Sequence, residues 1–223
     1  MSNKKKFYGV NDSNWGHKWG YKDSGFIINE DMSVTFTGNR YPICGKRLPN
    51  FIPFVEEILG VRFDTRPKIQ EVEKTHVTES RVNKPFLEEL RKSFEENRFT
   101  LEHNERVLHS HGQHSTDEVY KVLYNKLEKF TDLVFYIESE EETKKLIDLA
   151  KKHNVCLIPY GGGTNVTNAL RPPKEESRMV VSVDTRRMNK IETLDEENLM
   201  AVVQAGITGK ALEDGLNKRG FTV

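Results

Sequence analysis

The chain has 223 residues, which is enough for one or two domains with a sizeable core. Its 34 lysine and arginine residues balance 34 aspartate and glutamate residues, so net charge gives no support for binding to nucleic acid or to an acidic membrane. No stretch approaches the roughly 20 apolar residues of a membrane span. The basic segment 1–6 precedes too short an apolar stretch for a secretory signal. These features predict a soluble protein.

Cysteine usage predicts a reducing environment. Cys44 and Cys156 are the only cysteines, lie far apart, and form no Cys-x-x-Cys pattern. A disulfide-bonded scaffold would use more of them. We therefore expect each cysteine to be a small residue of the packed interior.

The first stretch, residues 1–59, interleaves aromatic residues with glycines, which favours short strands and turns over helices. Residues 27–31 and 34–38 are predicted to form a small hairpin. Residues 51–59 then carry apolar side chains at helical spacing, and Gly60 follows as a typical helix end.

The middle stretch, residues 62–128, is polar and strongly charged. Pro85 opens a predicted helix, because the missing N–H of proline costs nothing in the first helical turn. Leu87, Leu90 and Phe94 would share one face of that helix. We interpret the stretch as helical and loop-rich, wrapping another part of the protein rather than forming its own core.

The last stretch alternates strands and helices, which is typical of an α/β unit. A helix is predicted after Ser139, because Ser139 and Glu142 have the spacing of a capping box. Its buried side chains are predicted to be Leu146, Ile147 and Ala150. The other predicted elements are strands at 133–137, 155–158, 179–183, 190–193 and 200–204 and a helix at 209–218 that stops at Gly220.

This order of elements predicts the α+β class, with two parts. Residues 1–128 form an N-terminal arm and helical region, and residues 129–223 form a second domain. Residues 221–223 begin a further apolar segment where another strand would start. We therefore expect the second domain to be incomplete and the chain to be truncated at its C-terminal side.

A glycine loop directly after a predicted buried strand is the most informative segment. It consists of Pro159, Tyr160, Gly161, Gly162, Gly163, Thr164 and Asn165. Three consecutive glycines cost backbone entropy and contribute no packing, but they offer successive N–H groups that can surround an anion. Thr164 and Asn165 add side-chain donors. The loop is thus a candidate phosphate site, and a flexible turn without a ligand is the alternative.

Two common phosphate loops are excluded by spacing. No lysine follows the glycines as a P-loop requires. The dinucleotide pattern Gly-x-Gly-x-x-Gly fails because Val166 occupies the third glycine position. Pro172 and Pro173 also argue against a helix after the loop.

At this loop the sequence resembles FAD-binding domains of the vanillyl-alcohol-oxidase class, also called the PCMH type. Their pyrophosphate loop reads Pro-x-Gly-Gly-Gly-Thr/His-Ser, and this chain departs from it at Asn165, where serine is usual. The resemblance runs from about Asp132 to the last residue. It includes the downstream segments 180–184, 188–189, 195–198 and 205–209.

Segments before this domain resemble one family, alkylglycerone-phosphate synthase, also named alkyl-dihydroxyacetonephosphate synthase. They are Lys18-Trp19-Gly20-Tyr21, Thr37-Gly38-Asn39-Arg40-Tyr41-Pro42 with Gly45 and Leu48-Pro49, and Arg106-Val107 through His111-Gly112. Simple oxidases of the superfamily lack this long N-terminal segment. The similarity is weakest between residues 62 and 100.

The resemblance implies the first half of a PCMH-type FAD-binding domain, with FAD as the cofactor. Its cofactor-binding residues would be Pro159, Tyr160, Gly161, Gly162, Gly163, Thr164 and Asn165. The family works in ether-lipid biosynthesis and exchanges the acyl chain of acyl-dihydroxyacetone phosphate for a long-chain fatty alcohol, releasing a fatty acid. The flavin holds the substrate covalently during the exchange, without net redox change.

The resemblance places the catalytic residues of the family in a substrate domain and a C-terminal tail. We therefore assign no catalytic residue and no metal ligand in this chain, and we expect it to be inactive by itself. For the full-length form the resemblance implies a peroxisomal location, peripheral association with the membrane and a homodimer. No targeting signal is recognised in the sequence.

Other functions stay open at this point. The full-length form could instead be an FAD-dependent oxidase or dehydrogenase of the same superfamily, or the chain could be a non-catalytic truncated module. His109, His111 and His114 form a cluster that could bind a metal, but hydrogen-bonded histidines are the better interpretation. Aromatic and basic residues near the start could stack on nucleic-acid bases, yet packing of an N-terminal arm is favoured over that function. Those residues are Trp15, Lys18, Trp19, Tyr21 and Lys22.

Overall fold

A computed structural model describes residues 19–21, 23–39, 41–64 and 77–223. The described residues divide into two compact units. The smaller unit lies between residues 20 and 64, and the larger contains Trp19 and residues 77–223. In the described part of the chain, no helix has both the length and the apolar character needed to cross a membrane.

The smaller unit is a three-stranded antiparallel sheet followed by a helix. Strands β1 (Phe26–Ile28), β2 (Val34–Phe36) and β3 (Arg47–Leu48) pair in that order. This confirms the predicted hairpin. The helix α1 (Phe51–Leu59) ends at Gly60, whose φ of +64° suits glycine, as its position after the apolar pattern predicted. No residue of α1 is buried, so its apolar residues do not form a core within this unit.

The larger unit is built on a four-stranded mixed sheet. Its strands are β4 (Phe99–Thr100), β5 (Leu133–Tyr136), β6 (Cys156–Tyr160) and β7 (Val180–Asp184). The order across the sheet is β4-β5-β7-β6, with β4 antiparallel to β5 and the other three parallel. Every residue of β5 and β7 is buried, which is typical of parallel strands covered on both faces.

The two faces of the sheet have separate apolar cores. Because side chains alternate along a strand, Phe135 and Val181 enter the main core, while Val180 and Ile158 enter a second cluster on the opposite face. The main core also takes side chains from α2 (Lys84–Ser93) and α5 (Glu140–Lys152). Cys156 packs against the second cluster, and both cysteines are free.

The helices of the middle stretch belong to the same compact unit as the sheet. They are α2, with proline in its first turn, a short 3₁₀ helix at Glu96–Arg98, α3 (His103–Leu108) and α4 (Thr116–Leu123). Leu87 and Leu90 of α2 are buried in the main core and Phe94 packs against it, so the predicted apolar face is confirmed. The boundary between residues 128 and 129 stays a prediction, because these helices pack with the strands that follow.

The helix α5 is capped as the sequence predicts. The hydroxyl of Ser139 accepts the N–H of Glu142, and the carboxylate of Glu142 accepts the N–H of Glu138. Leu146 and Ala150 are buried, as predicted, but Ile147 is 44% exposed. Leu149 occupies the buried position instead. The prediction for Ile147 was wrong because α2 covers the side of α5 that carries Leu149.

A hairpin and a helix complete the larger unit. Strands β8 (Ile191–Asp195) and β9 (Met200–Val203) pair with each other, and α6 (Gly209–Asn217) follows. Gly206 joins this part to the end of β7: a Cβ at Gly206 would lie 1.8 Å from the carbonyl oxygen of Thr185. Since real side chains cannot come so close, glycine is required there. The mixed class of helices and strands predicted from the sequence is confirmed.

Candidate functional site

The carboxyl ends of three parallel strands meet at one edge of the sheet. Tyr136, Asp184 and Tyr160 are the last residues of β5, β7 and β6, and the register aligns all three. Ligands of open α/β sheets bind outside this edge. The glycine loop leaves the sheet here, directly after Tyr160.

The backbone of the glycine loop presents unpaired donors. Within the part of the chain that the structure describes, no group accepts a hydrogen bond from the N–H of residues 161–164. Gly163 and Asn165 have φ angles of +71° and +57°, so left-handed residues alternate along the loop. Successive N–H groups in such a conformation form anion-binding concavities.

The two halves of the loop differ in how closely the protein surrounds them. A Cβ at Gly161 or Gly162 would meet no protein atom within 4 Å, so this half is open to a ligand. A Cβ at Gly163 would lie 2.4 Å from the hydroxyl oxygen of Tyr160. The second half is therefore packed against the sheet, and Gly163 needs to be glycine for both its φ and its contact.

Asn165 fixes the end of the loop from within the protein. It is 7% exposed, and its Nδ2 donates to Glu118 Oε1 at 2.6 Å. Its Oδ1 accepts the N–H of Leu170 at 2.8 Å. The predicted ligand contact of the Asn165 side chain stays a prediction, since the structure directs both ends of its amide to protein partners.

A segment before the sheet supports the loop from its other side. The N–H of Gln113 donates to the carbonyl oxygen of Gly163 at 3.0 Å. The carbonyl oxygen of Gln113 in turn accepts the indole N–H of Trp19 at 2.9 Å. Gly112 lies so close to the loop that a Cβ there would be 2.2 Å from the Cβ of Asn165. Gly112, from a segment that carried the family resemblance, is thus a direct neighbour of the glycine loop, and Trp19 is linked to the loop through Gln113.

A buried ionic network lies beside the loop. Asp184 Oδ2 is 2.8 Å from His109 Nε2 and also accepts Arg186 Nε at 2.7 Å. The ring of Tyr160 packs on His109, with 4.4 Å between centroids, and faces the guanidinium of Arg186. Burial acts to raise the pKa of Asp184, but the hydrogen bonds from His109 and Arg186 outweigh burial and lower it to about 2. Burial raises the pKa of Tyr160 to about 12, so its hydroxyl stays neutral.

The histidine cluster does not assemble into a metal centre. His109 ends the helix α3 rather than lying on a strand, and His111 Nδ1 hydrogen-bonds to the carbonyl oxygen of Gly112. Among the described residues, no group of three or more His, Cys, Asp or Glu side chains is placed to hold a metal ion.

Sequence reasoning missed Glu118, Asp184 and Arg186 as neighbours of the loop. Glu118 follows Ser115 at capping-box spacing, and the Ser115 hydroxyl does accept its N–H. That spacing indicates an exposed carboxylate, whereas Glu118 is fully buried. The signal that pointed to this region was the family resemblance of residues 106–112.

Comparison with known proteins is consistent with this geometry. Residues 131–223 match the model of a family described as FAD binding domain. The unpaired N–H groups and the open half of the glycine loop fit a cofactor that carries a pyrophosphate. The predicted cofactor, FAD, is that of the matched family.

Three relatives of the chain share one name. The alkyldihydroxyacetonephosphate synthase of Caenorhabditis elegans is 40% identical over 206 residues, and that of Trypanosoma brucei brucei is 31% identical over 214 residues. A solved structure of alkyldihydroxyacetonephosphate synthase superposes on 97% of this chain with a TM-score of 0.83, at 28% identity. The chain is homologous to the alkyldihydroxyacetonephosphate synthases, which confirms the resemblance found in the sequence.

The homology covers nearly the whole chain but a smaller part of each relative. It includes 92% of this chain and 34% of each of the two named relatives, and 40% of the chain in the solved structure. The chain thus spans about a third of the length of these curated relatives. Several residues that carried the resemblance or the alternative functions lie outside the described residues: Trp15, Lys18, Lys22 and Arg40.

Proposed function

We propose that residues 161–165 of the glycine loop bind the pyrophosphate of FAD. The observation that carries this proposal is the run of backbone N–H groups at residues 161–164 that donate to no described protein group, at the carboxyl end of a parallel strand. The other predicted contacts, Pro159 and Tyr160, are the last two residues of β6 and would set the direction in which the loop leaves the sheet. The match of residues 131–223 to an FAD-binding family supports the proposal.

The role of this chain toward FAD is to bind and orient it. When bound, FAD would supply the reactive ring atoms for an exchange reaction. The open glycines admit the pyrophosphate to the loop, while Gly163 and Asn165 keep the loop fixed to the sheet. Tyr160, held neutral, packs beneath Gly163 and covers that side of the loop.

For the whole protein we propose the alkyldihydroxyacetonephosphate synthase reaction. It would exchange the acyl chain of acyl-dihydroxyacetone phosphate for a long-chain fatty alcohol, in ether-lipid biosynthesis. A peroxisomal location, peripheral membrane association and a homodimer belong to the same proposal and are supported by the family resemblance. The homology of nearly the entire chain to enzymes with this name supports the exchange over an oxidase function.

The first test is the absorbance spectrum of the chain after incubation with FAD and gel filtration. The unchanged protein is expected to keep a flavin band. Gly162→Leu is expected to lose it, because the new side chain fits without a protein clash and fills the open side of the loop. The loss of two amide contacts at about 1 kcal/mol or more each would weaken binding by more than about tenfold.

Ala201→Leu is the control, since it adds a leucine side chain away from the loop. Ala201 lies in β9, is exposed, and is outside the downstream segments that carry the resemblance. This variant is expected to retain flavin like the unchanged chain. Failure of the unchanged protein to retain FAD would refute the proposed site, and equal loss in both variants would assign the effect to folding.

A further inference from the structure

A buried carboxylate lies behind the glycine loop. Glu118, in the first turn of α4, has no exposed surface. Its Oε1 accepts Asn165 Nδ2 at 2.6 Å and Arg171 Nε at 3.3 Å. Its Oε2 is buried and accepts no hydrogen bond from any described residue. This carboxylate lies outside residues 131–223, the stretch that the FAD-binding family model matches.

Stability alone does not account for this carboxylate. A buried charge is costly unless all its oxygens are paired, and one oxygen of Glu118 has no hydrogen-bond partner within the described part of the chain. Arg171, the cation that contacts Glu118 among the described residues, is itself partly exposed and shared with Asp117. Functional sites are places where proteins depart from full pairing of buried polar groups.

The contacts of Glu118 lead directly to the loop. By holding Nδ2 of Asn165, Glu118 leaves Oδ1 of Asn165 turned toward the N–H of Leu170. Leu170 is buried in the second core cluster, so this pair ties the loop to the sheet. Asn165 itself has a left-handed φ of +57°, a conformation that asparagine tolerates and that the two hydrogen bonds stabilise. Gly112 closes the arrangement, because any side chain there would contact Glu118 Oε2 and the carbonyl oxygen of Thr164.

We propose that Glu118 is a positioning residue for the pyrophosphate of FAD. Its carboxylate fixes Asn165 and thereby holds the N–H groups of residues 161–164 in their unpaired arrangement, ready for the anion. The inference rests on the proposed function of the glycine loop and adds that the FAD site depends on a residue upstream of the FAD-binding domain. Asn165, where serine is usual in related loops, is the residue through which Glu118 acts.

The test compares FAD affinity in three variants, measured by quenching of flavin fluorescence. Glu118→Ala removes the hydrogen bond to Asn165 and is expected to weaken FAD binding by about tenfold or more. Glu118→Gln keeps an oxygen for Asn165 Nδ2 and is expected to restore binding to within about threefold of the unchanged chain. Asp117→Asn is the matched control, because it removes a negative charge from the same helix turn. Asp117 pairs with the same Arg171 but forms no hydrogen bond with Asn165 among the described residues.

Amide hydrogen exchange without FAD supplies a second readout. The N–H of Leu170 is expected to exchange about tenfold faster in Glu118→Ala than in Asp117→Asn, because Asn165 Oδ1 no longer holds it. Binding by Glu118→Ala at the affinity of Asp117→Asn, or unchanged exchange at Leu170, would overturn the positioning role while leaving the FAD site intact. If the unchanged chain binds no FAD, the proposed function itself fails, and the exchange data still show whether Glu118 fixes the loop.

Discussion

The four-stranded mixed sheet and the β8–β9 hairpin lie in the same compact unit but are stabilised in different ways. Every residue of β5 and β7 is buried, whereas neither β8 nor β9 contains a fully buried residue. Met200 and Val202 of the hairpin are 60% and 56% exposed. An isolated two-stranded hairpin is marginally stable in water, while a covered sheet provides its own core.

This difference in burial indicates that the sheet, rather than the hairpin, holds the candidate site in place. The glycine loop leaves the covered sheet and is held by side chains of that sheet and of α4. After the hairpin, the backbone of Gly206 lies close to Thr185, which follows Asp184. We therefore expect substitutions in the sheet to affect stability and FAD binding together, and substitutions on the exposed face of the hairpin to affect neither.

The largest effect is expected at the centre of the sheet. Phe135 is fully buried, and its ring meets that of Phe94 edge-on, with 4.8 Å between centroids. Phe135→Ala removes this packing and leaves a cavity, which should lower the free energy of unfolding by about 3–5 kcal/mol. Urea denaturation followed by circular dichroism measures this loss. A change below about 1 kcal/mol would contradict the assignment of β5 to the core.

A smaller, pH-dependent effect is expected at Asp184. Its pKa is lowered from 3.8 to about 2 in the folded protein, so its contribution to stability is complete above its unfolded pKa. The contribution is lost as the pH falls from about 4 to about 2. The depression corresponds to about 2 kcal/mol, and Asp184→Asn should cost about that much near neutral pH and much less near pH 2.

Urea denaturation of Asp184→Asn and the unchanged chain across this pH range gives the comparison. Asp214→Asn is the control, because Asp214 forms an exposed ion pair with Lys210 in α6. An exposed pair of this kind contributes about 0–1 kcal/mol. The interpretation of the network fails if the stability difference between Asp184→Asn and the unchanged chain does not shrink on acidification.

The sequence predicted the elements whose signal is local. The strand at 133–137, which is β5, was predicted from its local sequence, α5 from its serine cap, and the glycine loop from residues that have no packing role. Ile147 and Leu149 show the limit of periodicity. Ile147 lies three residues before Ala150 and Leu149 three residues after Leu146, so both fit helical spacing, and the position of α2 decides which is buried.

The residues that surround the glycine loop and hold it in place were not predictable from local sequence patterns. Glu118 is brought to Asn165 across 47 positions of chain, and its local pattern is that of an ordinary helix cap. His109 and Asp184 meet across 75 positions. Such pairs depend on the packing of α3 and α4 beside the sheet, which neither composition nor spacing shows. The family resemblance of residues 106–112 marked the region but not its contacts.

The smallest effect is expected on the exposed face of the hairpin. The same substitution, valine to threonine, made once in the hairpin and once in the sheet, compares the stability of the two regions directly. Val202→Thr in β9 keeps a β-branched side chain at a position already in contact with water, so it should change the free energy of unfolding by less than about 0.5 kcal/mol. Val181→Thr in β7 places the same hydroxyl in the main core without room for water and should cost about 1–3 kcal/mol. Urea denaturation of both variants tests this ordering. Equal costs would mean that Val202 is packed as closely as Val181, and the contrast between sheet and hairpin would then be wrong.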